Sequence, residues 1–169
     1  MIVFMLGTDD PVHTSEKDAI TEFRVLFDTI AGLSMDPLHI SPQNIVEHFC
    51  SVGLIRAHDG TQHDFARTLA KFTKKFDAKG KLMRPGFYNE EEFVKFWFNT
   101  HKFYNKYDVN NSGAITRADF LQSLKDSDRS DADTDEKVSE IFNIADRNRD
   151  GVIDFIEFFC RLPQILNWN

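Results

Sequence analysis

Cysteine, methionine, tryptophan and positive charge are all scarce in this chain of 169 residues: two Cys, four Met, two Trp, and twenty Lys and Arg against twenty-seven Asp and Glu. Cys50 and Cys160 lie far apart without any CxxC grouping, which argues against a disulfide scaffold and a cysteine zinc site. Both read as reduced thiols of a reducing, cytoplasmic compartment. The net charge of −7 speaks against nucleic acid or an anionic membrane surface as the default partner and favours cations and basic helices. No apolar run approaches the length of a membrane span. Met1 to Leu6 is apolar but too short, and too poor in flanking basic residues, for a signal peptide, and Ile2 in place of Gly removes a myristoylation signal. No nucleophile elbow, phosphate loop or catalytic triad is visible, so an enzyme is not expected. His58-Asp59 and His63-Asp64 do not bring both His onto one helical face, as a helical zinc site requires, and read as surface residues.

What the chain does have is oxygen at regular spacing. Residues Asp146 to Glu157 read D-R-N-R-D-G-V-I-D-F-I-E, with Asp146, Asn148 and Asp150 at positions 1, 3 and 5 of a twelve-residue loop. Calcium takes six to eight oxygens at about 2.3–2.6 Å, and such alternation aims three side chains at one point. Gly151 at position 6 allows the sharp turn, the Val152 carbonyl is the backbone ligand, and Asp154 at position 9 acts through a water. Glu157 at position 12 is long enough to give both carboxylate oxygens. Val138, Ile141, Phe142 and Ala145 recur at helical spacing before the loop, and Phe155, Phe158, Phe159 and Leu162 after it, with Pro163 expected to stop the second helix.

Residues Asp108 to Asp119, D-V-N-N-S-G-A-I-T-R-A-D, repeat the plan. Asp108, Asn110 and Ser112 stand at positions 1, 3 and 5, Ala114 offers its carbonyl, Thr116 fills position 9 and Asp119 position 12. Asp119 is one methylene shorter than Glu, and this loop has two carboxylates where the other has four, so it should bind more weakly or favour the smaller magnesium ion. Ile115 and Ile153, both at position 8, should form a short antiparallel bridge.

The front half carries the same helical spacing with broken loops. Taking Ile40 as position 8 puts Ser41 and Asn44 at positions 9 and 12, with Asp28 the nearest acid for position 1. Counting back from Phe93 makes Glu92 position 12, Tyr88 position 8 and Gly86 position 6 of a second loop, which begins near Asp77 and holds Lys79, Lys81 and Arg84 where oxygens belong. Cations there oppose calcium directly. The apolar residues from Asn89 to Tyr107 keep helical spacing without Gly or Pro, so one helix is expected to leave the second loop and enter the third. Lys125 to Asp133 reads as a solvated linker.

These two loops and their flanking helices resemble the EF-hand superfamily, and the chain looks like a calmodulin-like or sarcoplasmic-type protein of four hands. The resemblance implies an all-α fold of paired EF-hands with short β bridges between loops. Residues 1–92 are then a lobe of two degenerate hands that bind no ion, and residues 93–169 a pair with intact loops 108–119 and 146–157. It implies Ca2+ as the ion and a protein that either buffers calcium or opens a hydrophobic groove to a target helix. The ligands of loop 108–119 make Mg2+ an alternative there, and the first expectation is a sensor that engages a basic amphipathic helix of a target protein. The alternatives are a calcium buffer, a light-chain-like structural subunit or, least favoured, a photoprotein-like ligand holder.

Overall fold

The computed structural model describes residues 16–56, 60–126 and 134–167. Met1 to Leu6, His58-Asp59 and most of the Lys125 to Asp133 segment therefore lie outside the described residues. Among the described residues the chain forms seven helices and one two-stranded antiparallel sheet, the helical architecture with a short β bridge that the loop spacing predicts. Contacts divide the chain between Phe98 and Asn99, within a continuous helix, whereas the sequence places the junction at 92/93.

The front unit begins with α1 (Glu16–Leu33) and α2 (Pro42–Ser51), followed by α3 (Thr61–Phe72) and the first turns of α4 (Glu90–Asn105). Helix α2 starts where it does because Ser41 and Asn44 cap it reciprocally and Pro42 supplies a preset φ at the first position. Its core is aromatic: Phe49, Phe65, Phe93 and Trp97 are fully buried, and the Phe65 and Trp97 rings stack at 6.2 Å. Asp28, the acid nearest to a first loop, lies inside α1 rather than in any loop. Ile40 pairs with Phe87 in an isolated antiparallel bridge, each N–H donating to the other's carbonyl at 2.9 Å. This corrects the expected place of Tyr88, which stands next to the bridging residue. Phe87 is buried, whereas Tyr88 turns outward and donates its hydroxyl to the Arg84 carbonyl at 2.9 Å. Burial of the ring without a polar group sets the register.

The back unit holds the last turns of α4, then β1 (Ile115–Thr116), α5 (Arg117–Asp126), α6 (Thr134–Ala145), β2 (Val152–Ile153) and α7 (Phe155–Asn167). The strands pair in the register Ile115 with Ile153 and Thr116 with Val152, as expected from position 8. Tyr104, Phe120, Val138, Ile153, Phe158 and Phe159 close the core, where the Tyr107 and Phe120 rings stack at 4.8 Å. Helix α7 does not stop at Pro163 but continues to Asn167. Proline removes one N–H and strains one turn, yet Leu162 and Ile165 are both buried here, and keeping that apolar face in the core outweighs the lost bond.

Candidate metal centre

In the loop 146–157 the backbone sets the geometry first. Arg149 at position 4 has φ 59° and Gly151 at position 6 has φ 86°, and Asn111 and Gly113 at the same positions of loop 108–119 have φ 52° and 85°. The two loops thus follow the same course. Asp146 accepts the Asp150 N–H on Oδ1 at 3.1 Å and the Gly151 N–H on Oδ2 at 2.9 Å, which holds the first carboxylate across the turn. Asp154 and Glu157 form a reciprocal cap of α7: the Glu157 N–H donates to Asp154 Oδ1 at 2.8 Å, and the Asp154 N–H to Glu157 Oε2 at 3.2 Å. Glu157 Oε1 also accepts from the N–H groups of Arg147 and Asn148 at 3.0 and 3.2 Å. Burial and then the nearby Asp154 charge push the Glu157 carboxyl above its ordinary range, against the opposing pull of these N–H groups.

The upstream loop is more tightly closed on itself. Asp108 and Asp119 are both buried, and Asp108 accepts from Ser112 N–H at 3.0 Å and Gly113 N–H at 2.8 Å. Asp119 Oδ2 accepts the Thr116 hydroxyl at 2.6 Å, the Thr116 N–H at 3.0 Å and the Asn110 amide at 3.4 Å. Its short side chain is therefore engaged as the cap of α5. Asp119→Glu should free a carboxylate with longer reach and tighten calcium at this loop by about tenfold, shifting selectivity away from magnesium. Calcium titration with and without magnesium competition checks this. An unchanged pair of affinities would mean that position 12 is not what limits the loop.

Tyr104 on α4 was not singled out by the sequence, although it precedes Asp108 by one helical turn. It is buried, and its hydroxyl lies 3.0 Å from the Gly113 carbonyl of one loop and 3.2 Å from the Ile153 carbonyl of the other. Burial, reinforced by the Asp108, Asp154 and Glu157 charges, pushes its phenol far above the ordinary range, so it remains a neutral donor. One hydroxyl thus ties α4 to both loops. Tyr104→Phe keeps the ring against Phe155 and Phe158 while removing the tie. Cooperativity between two sites should then fall by about 1 kcal/mol with stoichiometry unchanged. Equal cooperativity in wild type and variant would show that the β bridge alone couples the loops.

The front loops use the same cap without the charge. Ser41 and Asn44 repeat the exchange of positions 9 and 12, with Ser41 N–H donating to Asn44 Oδ1 at 2.9 Å. A neutral amide stands where a bidentate acid would be. At the second front loop Glu92 Oε2 is bonded by the Lys75 ammonium and accepts the Tyr88 N–H at 3.1 Å. Burial pushes this carboxyl up, but the Lys75 bond, the Tyr88 N–H and the Lys75 charge more than offset it and leave it below its ordinary value. The cation bonded to the acid at position 12 is Lys75, and Arg84 pairs with Asp36 at 3.0 Å.

Among the described residues no three His, Cys, Asp or Glu side chains are gathered around a common point as they stand. The acids of loop 146–157 instead face loop N–H groups. The donor set nonetheless fits a hard divalent cation: all oxygen, on a preformed turn, with the Glu157 carboxyl held above its ordinary range first by burial and then by the neighbouring Asp154 charge, which a cation would offset. Residues 99–162 match the family model of an EF-hand domain pair. No curated protein matches the chain. Among the described residues no helix is long and apolar enough to cross a membrane.

Proposed function

We propose that residues 99–167 bind calcium at two unequal sites and act as a calcium-responsive sensor for a basic amphipathic helix. The tighter site takes Asp146, Asn148, Asp150, the Val152 carbonyl, Asp154 through a water, and Glu157. The weaker takes Asp108, Asn110, Ser112, the Ala114 carbonyl, Thr116 and Asp119, with magnesium as its alternative ion. The observation that carries this reading is the position of Glu157, the third residue of α7, bonded to the N–H groups of Arg147 and Asn148 at the far end of its own loop. To ligate an ion Glu157 must exchange those partners, and the start of α7 has to follow its side chain. The front unit, on this reading, keeps the helix-loop-helix plan with Asn44 and a Lys75-paired Glu92 at position 12, and binds no ion.

A second reading, a buffer whose core stays shut, is favoured by the complete burial of Phe120, Phe158 and Phe159. Calcium raises the melting temperature under both readings by mass action, so melting does not separate them. A sensor gains binding of an apolar dye and captures a basic amphipathic peptide when calcium is added, through surface around Phe103, Phe120, Leu124, Phe142 and Phe159. Calcium binding with neither gain would establish the buffer.

A further inference from the structure

The second front loop does not merely lack ligands; its first half is folded into a projecting hairpin. Phe76 and Leu82 are bridge partners, the Met83 N–H donates to the Lys75 carbonyl and the Asp77 N–H to the Lys81 carbonyl, both at 2.9 Å, and Gly80 turns the chain at φ 76°. All residues from 76 to 82 are exposed. Bridge partners point to the same face, so Phe76 and Leu82 form one apolar pair, 60% and 52% exposed, while Lys75 on the other face reaches Glu92. Among the sixteen described Phe, Phe76 is the only exposed one, and packing within the unit does not account for it.

Charge is concentrated at the same place. Residues 71–84 hold six of the chain's twenty Lys and Arg and a single acid, Asp77, a net +5 in a chain of net −7. The Asp77 Oδ1 faces inward to the N–H groups of Lys79 and Lys81, each at 2.9 Å, and the Lys74 ammonium lies 5.7 Å from the centre of the Phe76 ring. Lys74, Lys79 and Lys81 are exposed around the apolar pair.

We propose that this hairpin is a docking surface for anionic phospholipid, with Phe76 and Leu82 entering the headgroup layer and Lys74, Lys79 and Lys81 meeting phosphate and carboxylate groups. The overall negative charge disfavours a membrane surface for the chain as a whole, but attraction is set by charges within a Debye length, about 8–10 Å, of the contact. A projecting wedge suits a deformable interface. An acidic peptide would need a groove or a long strand edge, and a two-residue bridge offers little of either. A second copy presenting the same hairpin would meet like charge.

The test is co-sedimentation of the full chain with vesicles of mixed phosphatidylcholine and phosphatidylserine, against vesicles of phosphatidylcholine alone. The mixed vesicles should bind it, with partitioning reduced by salt. Phe76→Ala should weaken partitioning about tenfold, and the Lys79→Gln, Lys81→Gln double variant about thirtyfold. These exposed positions should leave the fold and calcium titration intact, which circular dichroism and calorimetry verify. Failure to partition, or partitioning equal in wild type and both variants, overturns the proposal. So does binding to a polyglutamate peptide in place of vesicles, which would assign the surface to an acidic polypeptide.

Discussion

Glu157→Gln should weaken calcium binding at loop 146–157 by about a hundredfold or more, because a hard cation loses an anion and its bidentate contact together. The same change should leave the ion-free protein as stable as before or slightly more so. Burial and the Asp154 charge already disfavour the ionised Glu157 carboxyl, so its replacement by a neutral amide removes a repulsion, and the amide oxygen can still accept a loop N–H. The sign of the pH dependence follows. A carboxyl whose folded-state pKa is raised contributes stability below its unfolded pKa and loses it as the pH rises through the folded value. Ion-free wild type should therefore gain stability relative to the Gln variant on acidification into the carboxylate range. Calcium-dependent and calcium-free melting of both proteins measures this, and a Gln variant whose calcium-induced rise in melting temperature is as large as the wild type's at every calcium concentration would remove Glu157 from the ligand set.

Gly86→Ala should destabilise the front unit by about 3 kcal/mol or more, since it combines a strained backbone with a clash that side-chain motion does not relieve. Gly86 has φ 132°, and a Cβ there would sit 2.3 Å from the Ile40 carbonyl oxygen and 2.8 Å from His39 Nε2. The Ile40–Phe87 bridge would have to open. Gly80 provides the control: its φ is 76°, but nothing lies within 4 Å of a Cβ, so Gly80→Ala should cost only about 1–2 kcal/mol for the left-handed backbone. Urea denaturation of the two variants compares them. Equal midpoints would mean that the chain at Gly86 relaxes without losing the bridge.

The back unit was legible because its determinants are local. Oxygen at positions 1, 3, 5, 9 and 12 and an Ile at position 8 fix a loop within twelve residues, and the Ile115–Ile153 register followed directly. Ser41 and Asn44 were placed at positions 9 and 12 by the same counting, and they carry the same capping exchange as Asp154 and Glu157. The second front loop was less legible. Asn89 caps α4 through the Glu92 N–H at 2.9 Å, in agreement with counting back from the helix, but the chain slips by one residue between that cap and the bridge. Spacing alone does not reveal such a slip, because it depends on which of two adjacent aromatic rings is buried. Lys75 was missed because the hairpin that brings it to Glu92 is an insertion with no counterpart in a regular loop. Pro163 misled because local propensity yields to burial of the residues on either side of it.

The central claim, two unequal calcium sites in residues 99–167 and none in the front loops, is tested most directly by a calcium titration of the full chain followed by amide NMR at the loop glycines. The Gly151 N–H donates to Asp146 Oδ2 and the Gly113 N–H to Asp108 Oδ2, so each amide reports the polarisation of the first ligand in its own loop. Gly151 should shift first and Gly113 at higher calcium, while Gly80 and Gly86 show no saturating shift of their own. A response led by Gly80 or Gly86, or one in which neither Gly151 nor Gly113 moves, would contradict the account.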